Sequence, residues 1–200
     1  MTSSRSTPRL RLTASLLALL LVVVAISERR FATGLVGEAL RLVGLACVAC
    51  AALGRIWTSV FIAGFKDQVL VQSGPYAIVR HPLYVLSLLA MLGLGLTTGS
   101  IAITTMLVIV FGAIYAAAAG AEDRHLREMH AVAHERYARE VRALLPKWSA
   151  YIVPELLEVR PRVLWKAFLD AGSLLGFYAL LRFVDVLQQH GVTPTWLTLA

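Results

Sequence analysis

The sequence predicts an all-α fold, a polytopic membrane helical bundle of four to five transmembrane helices with one further helix on the cytoplasmic side. Composition is the first ground: of 200 residues, 58% are hydrophobic and 16% charged, and mean hydropathy is +0.72, whereas charged residues make up about a quarter of a soluble domain. The second is spacing. Each span needs roughly 20 apolar residues, so four or five of them with short loops fill the chain as a single domain, residues 1–200, with no room for a large soluble unit. The third is charge. The formal net charge is +7, but the basic residues form no compact stripe interleaved with aromatics, which argues against nucleic acid and for a role in topology.

The first apolar run, Leu12 to Ile26, follows Arg5, Arg9 and Arg11 in the manner of a signal peptide. Glu28, Arg29 and Arg30 stand where small cleavage-site residues belong, so the run reads as an uncleaved first helix. A second span from about Leu35 to Trp57 carries Glu38 and Arg41 on one face, either as an intramembrane pair or as side chains snorkelling to the interface. Cys47 and Cys50 lie within it and read as small packing residues, since no second thiol pair completes a zinc set.

Spans three and four, about Leu83 to Leu96 and Ile101 to Ala119, are joined only by Thr97-Thr98-Gly99-Ser100 and so form an antiparallel hairpin. Their outer ends share one side with Arg55, Lys66, Arg80, Arg124, Arg127, Arg136, Arg139, Arg142 and Lys147, which makes that side cytoplasmic. Counting back through two spans places the N-terminus there too. From Ala121 to Leu145 charged residues recur beside Leu126, Met129, Val132, Tyr137, Val141 and Leu144, the pattern of a cytoplasmic helix docked against the membrane or the span ends. The last apolar segment, about Val163 to Leu187, carries Lys166, Asp170, Arg182 and Asp185 near its ends. It is either a tilted fifth span or an amphipathic helix on the inner face, and Gly172-x-x-x-Gly176 within it offers a close-packing face.

Two cytoplasmic segments concentrate polar residues that spanning does not require. In the first, Gly74-Pro75 marks a turn and Pro82 suits the first turn of span three, which leaves His81 at or beside the N-cap with Arg80 adjacent. Free amides, the helix dipole and the guanidinium there favour an anion. In the second, the neighbouring carboxylates Glu122 and Asp123 repel one another unless a cation or proton holds them. The hairpin brings both segments together, an arrangement suited to a zwitterion with a further positive centre. Each has a plainer structural reading, anchoring in the headgroups for Arg80 and His81 and a solvated helix start for Glu122 and Asp123. His125, His130 and His134 lack defined third and fourth ligands, so no metal site is expected. Gly93-x-Gly95 lies inside a span, which excludes a soluble dinucleotide-binding fold.

These residues carry a resemblance. Gly54-Arg55-Ile-Trp57, Gly64-x-Lys66 and Leu70-Val71-x-x-Gly74-Pro75-Tyr76-x-x-x-Arg80-His81-Pro82-x-Tyr84 resemble the integral membrane methyltransferases typified by isoprenylcysteine carboxyl methyltransferase and phospholipid N-methyltransferases. Glu122-Asp123-x-x-Leu126, Tyr137-x-x-x-Val141 and Pro146 are similar to that family's second block, so the match covers about residues 54–146 and leaves 147–200 as a C-terminal helical extension. The resemblance implies S-adenosylmethionine as cofactor at the cytoplasmic helix ends and a membrane lipid or lipid-linked substrate entering laterally. By motif position, Gln68, Val69, Leu70, Val71, Tyr76, His81, Pro82, Leu83 and Tyr84 would bind the cofactor. Glu122 and Arg80 would be catalytic, and Glu122 and Asp123 would face the substrate. Ala118 stands where prenylcysteine enzymes have an arginine, which points away from prenylcysteine. His130-Ala131 and His134 replace residues of a usually more aromatic lid.

The expected activity is methyl transfer to a hydrophobic acceptor whose reacting atom, oxygen, nitrogen or sulfur, is left open. A non-catalytic membrane protein retaining the pocket and a nicotinamide-dependent lipid reductase of similar architecture are the competing readings. Composition resembles a bacterial inner-membrane protein.

Overall fold

The computed structural model describes residues 34–62 and 69–192, the strands at 27–29 and 197–199, and residues 15, 18, 21 and 22. Most of the expected first span, together with Gly64, Lys66 and Gln68, lies outside the described residues. Four long helices dominate: α1 (Gly34–Ile62), α3 (Pro82–Thr98), α4 (Ile101–Met129) and α6 (Pro161–Gln189), with short α2 (Pro75–Ile78) before α3 and α5 (Ala131–Glu140) after α4. A 3-10 turn at Trp148–Ala150 precedes α6. Against the all-α expectation, Ser27–Arg29 and Leu197–Leu199 pair as a small parallel ribbon.

The helices α1, α4 and α6 are each long and apolar enough to cross a membrane, and α3 is a shorter apolar helix. Leu42, Leu53, Ile109, Trp165 and Phe183 point outward, an apolar surface that only bilayer hydrocarbon satisfies, so the protein is integral to the membrane. Buried small residues let the helices approach. A Cβ on Gly44 would stand 2.7 Å from the Gly93 carbonyl oxygen, and one on Gly93 would stand 2.6 Å from that of Gly44, which fixes α1 and α3 backbone to backbone. Val48, Ala51, Ala90, Met91, Leu94, Ile103, Leu107, Phe111 and Leu181 form the common core.

Two expectations are corrected here. The fourth helix does not stop near Ala119; it continues as one α-helix to Met129 and breaks at His130, so the predicted cytoplasmic helix is divided between the end of α4 and the separate α5. Gly120 is no barrier, since a single glycine costs a helix only about 1 kcal/mol. Nor do Gly172 and Gly176 make a close-packing face among the described residues, for a Cβ on either would meet nothing within 4 Å. The buried positions of α6 are instead Ala167, Ala171, Leu181 and Asp185.

Charge pairs set the direction of α6. Arg41 Nε lies 3.3 Å from Asp185, and Arg55 pairs with Asp170. Arg41 to Arg55 covers about 21 Å of α1 and Asp170 to Asp185 about 22 Å of α6, so α6 runs antiparallel along α1 rather than across its end. Glu38 also pairs with Arg41, and Arg182 with Asp185, which joins the expected Glu38–Arg41 pair into a four-residue network.

Candidate active site

The site forms where α4 emerges from the apolar layer. Residues 101–119 of α4 span about 28 Å, close to the hydrocarbon thickness, so Glu122 and Asp123 stand just beyond its edge. The hairpin of α3 and α4 has a Gly99 turn in the left-handed conformation and a Ser100 side chain capping Ile103 N–H, and it returns the start of α3 to the same level. His81 is the N-cap of α3 and Pro82 follows as its first residue. Ahead of it, Gly74 has φ of +61° and packs against Phe61 so closely that a Cβ would lie 2.2 Å from the ring. Only glycine fits there.

A second strand of chain braces this first block. Arg80 N–H donates to the Arg142 carbonyl (3.0 Å), His81 N–H to that of Ala143 (3.1 Å), Lys147 N–H to that of Ile78 (2.9 Å) and Gly74 N–H to that of Ile152 (2.7 Å). Tyr137 Oη donates to the Tyr76 carbonyl at 2.6 Å. Burial holds the Tyr137 phenol well above its usual range, with Arg80 opposing and Asp123 adding to the effect. Tyr76 is raised further, by burial first and then by Glu122 and its tyrosine neighbours. Both phenols therefore stay neutral.

Asp123 gathers the cationic side. One oxygen lies 3.0 Å from His81 Nε2 and 3.2 Å from His134 Nε2, and the other lies 3.2 Å from Arg80 Nη1. At these distances each imidazole is a hydrogen-bond partner of the carboxylate, and it donates in the tautomer that carries its proton on Nε2. Glu122 is 3.7 Å from His81 Nδ1, with its side chain 35% exposed against 19% for Asp123.

A cavity of about 450 Å³, counting its open mouth, is lined by Ile62, Val69, Leu70, Val71, Tyr76, Arg80, His81, Glu122, Leu126 and Tyr137. Of the expected cofactor residues, Val69, Leu70, Val71, Tyr76 and His81 line it, as do Arg80 and Glu122. Pro82, Leu83 and Tyr84 do not. Pro82 is spent on starting α3, and Tyr84 turns to stack on Tyr115 at 5.8 Å. Asp123 also lies outside the lining, engaged by three partners, so Glu122 alone of the two carboxylates faces the cavity. Ile62, Leu126 and Tyr137 were not assigned from sequence, although Leu126 and Tyr137 belong to the second block. The polar residues fit a zwitterionic ligand: Arg80 Nε is buried with no partner among the described residues, and Glu122 supplies the opposite charge in the same lining, 3.7 Å from His81 Nδ1. Among the described residues no group of three His, Cys, Asp or Glu side chains is arranged to hold a metal ion; His81 and His134 each meet Asp123 through direct contacts.

A family model described as phospholipid methyltransferase matches residues 31–132. The cobalt-zinc-cadmium resistance protein CzcN of Cupriavidus metallidurans is 36% identical over 157 residues, 78% of this chain and 72% of that protein. The nickel-cobalt-cadmium resistance protein NccN of Alcaligenes xylosoxydans xylosoxydans is 31% identical over 164 residues, 82% of this chain and 76% of that protein. No solved structure matches.

Proposed function

The chain belongs to the phospholipid methyltransferase family, and from that premise we propose that it transfers a methyl group from S-adenosylmethionine to a hydrophobic or lipid-linked acceptor at the cytoplasmic membrane face. The observation that carries this reading is the cavity's mixed charge, with Arg80, His81 and Glu122 in one lining beside the apolar Ile62, Leu70 and Leu126. The cofactor, when bound, supplies a methyl group on a sulfonium that is open to in-line displacement. Arg80, whose Nε has no partner among the described residues, would hold its carboxylate end. Ile62, Leu70 and Leu126 are the apolar residues of the same lining that would contact its adenine, with Tyr76 and Tyr137 beside them.

Such a displacement needs positioning and a dry site more than it needs acid or base. Glu122 stabilises the cationic side of the reacting centre. For an amine or thiol acceptor it also stands ready to take the proton, while a carboxylate acceptor requires no base. Asp123 acts indirectly by fixing Arg80 and His81. The relatives' names, which speak of cobalt, zinc, cadmium and nickel resistance, suggest metal resistance as the setting.

Membranes carrying the overproduced chain, supplied with S-adenosylmethionine tritiated in its methyl group, test this. Label is expected in the organic-extractable fraction, and Glu122→Gln should reduce it about a hundredfold. Undiminished label with that variant would overturn the role of Glu122.

A further inference from the structure

The chain between α5 and α6 is tied to the membrane layer, and it presents more apolar surface than a water-facing loop carries. It leaves α5 after Glu140 and ends at Pro161, the first residue of α6, which is long and apolar enough to cross the membrane. Between them, Tyr151 rests on Trp57 of α1 with ring centroids 5.7 Å apart, and the Ile152 carbonyl accepts from Gly74 N–H at 2.7 Å. Trp57 lies about 8 Å to the membrane side of the cavity residue Ile62. The segment therefore cannot stand away from the membrane in bulk water. Neither can it sink into the hydrocarbon. Apart from the turn at Trp148–Ala150 it holds no helix, and such a backbone finds no partners for its N–H and C=O groups among acyl chains. Its level is the interface, among the headgroups.

The side chains suit that level. Trp148 is 71% exposed and Leu156 82%, and Leu145 and Ile152 are also open. In water so many large apolar side chains in a short stretch would be an aggregation site. Beneath headgroups they are at home, tryptophan above all. The charges then select the kind of lipid. From residue 142 to 166, through the first turns of α6, Arg142, Lys147, Arg160, Arg162 and Lys166 stand against Glu155 and Glu158, all of them exposed. An excess of exposed Lys and Arg at the interface favours anionic over zwitterionic lipid, each charge by about fivefold.

We propose that residues 142–162 form a docking surface for anionic phospholipid, with Trp148, Ile152 and Leu156 inserted beneath the headgroups and Lys147, Arg160 and Arg162 on their phosphates, and that this contact braces the cavity. The segment lies beyond the family-matched residues 31–132. Its link to the cavity is made of main chain. The carbonyls of Arg142, Ala143 and Ile152 accept from the N–H groups of Arg80, His81 and Gly74, and Lys147 N–H donates to the Ile78 carbonyl. Arg80 and His81 line the cavity, as does Tyr76 between the bonded positions. Lipid that holds the segment at the membrane surface therefore holds this part of the lining in register. Neither the docking nor the bracing depends on what the cavity binds.

The test uses the full chain in nanodiscs of phosphatidylcholine and phosphatidylglycerol, with Trp57→Phe, Trp165→Phe and Trp196→Phe leaving Trp148 as the only tryptophan. Bromine near the top of the acyl chains quenches a tryptophan that touches them, and the brominated species is either lipid at the same mole fraction. Trp148 is expected to be quenched, with an apparent preference for phosphatidylglycerol of about fivefold or more. The preference should vanish in the triple variant Lys147→Gln, Arg160→Gln, Arg162→Gln, whose exposed substitutions should leave the melting midpoint in dodecyl maltoside unchanged. Amide hydrogen exchange over residues 74–81, read in the chain with its four tryptophans, should slow several-fold when phosphatidylglycerol is added, and not in the triple variant. An unquenched Trp148 in every lipid would put the segment in water, leave its apolar face to a protein partner and overturn the proposal. Equal quenching by both lipids would overturn the anionic preference, and exchange indifferent to phosphatidylglycerol would overturn the bracing.

Discussion

Asp123 accepts from His81 and His134 through one oxygen and pairs with Arg80 through the other, so a single carboxylate orients two cavity residues. Asp123→Asn keeps the size but not the charge, and should cost about 2–3 kcal/mol of stability, read as a lowered melting midpoint. It should also weaken binding of S-adenosylhomocysteine, because Arg80 and His81 lose their common partner. At this scale the sequence was informative where local chemistry decides. Pro82 announces the start of α3 and so puts His81 at its cap, and the short loop at Gly99 obliges Glu122 to return beside it. What sequence could not reveal is which of two adjacent carboxylates turns inward. Successive helical residues point about 100° apart, and only the packed position of His134 on α5 shows that Asp123 meets the histidines while Glu122 meets the cavity. The bond from Tyr137 to the Tyr76 carbonyl is likewise tertiary and leaves no local trace.

Among the elements, the α1–α3 contact is the most demanding, since Gly44 and Gly93 leave no room for a side chain. Gly93→Val should lower stability by about 1–3 kcal/mol through forced separation of the two helices, measured by denaturant or thermal unfolding in detergent. The same change at Gly172 should do almost nothing, because among the described residues nothing lies within 4 Å of a Cβ there. The Gly-x-x-x-Gly spacing in sequence therefore marked the wrong helix. The pattern carries no information about which neighbour it meets, whereas the true contact pairs single glycines far apart in the chain. Helix boundaries were blurred for a related reason. The shift from apolar to charged composition near Ala121 marks where α4 leaves the hydrocarbon, but the backbone hydrogen bonds continue through it to Met129. The brace from Arg142 to Ile152 is made of main-chain bonds and has no side-chain signature.

For the whole molecule, an apolar bundle carries a charged cavity at one end, with the Arg55–Asp170 pair between that cavity and the bundle's centre. Hydrophobic runs and charge placement made the bundle and the hairpin legible, because both follow from the bilayer as solvent. The antiparallel course of α6 was left open by its short uncharged centre and follows from its two ion pairs with α1. The cavity matters most to the account. Thermal unfolding of the purified protein with S-adenosylhomocysteine at about 100 times its dissociation constant should stabilise the wild type by roughly 2.7 kcal/mol, with the shift diminished in His81→Ala and Glu122→Ala. A folded sample that does not respond to this ligand, but responds to a nicotinamide dinucleotide, would contradict the assignment of the cavity to S-adenosylmethionine.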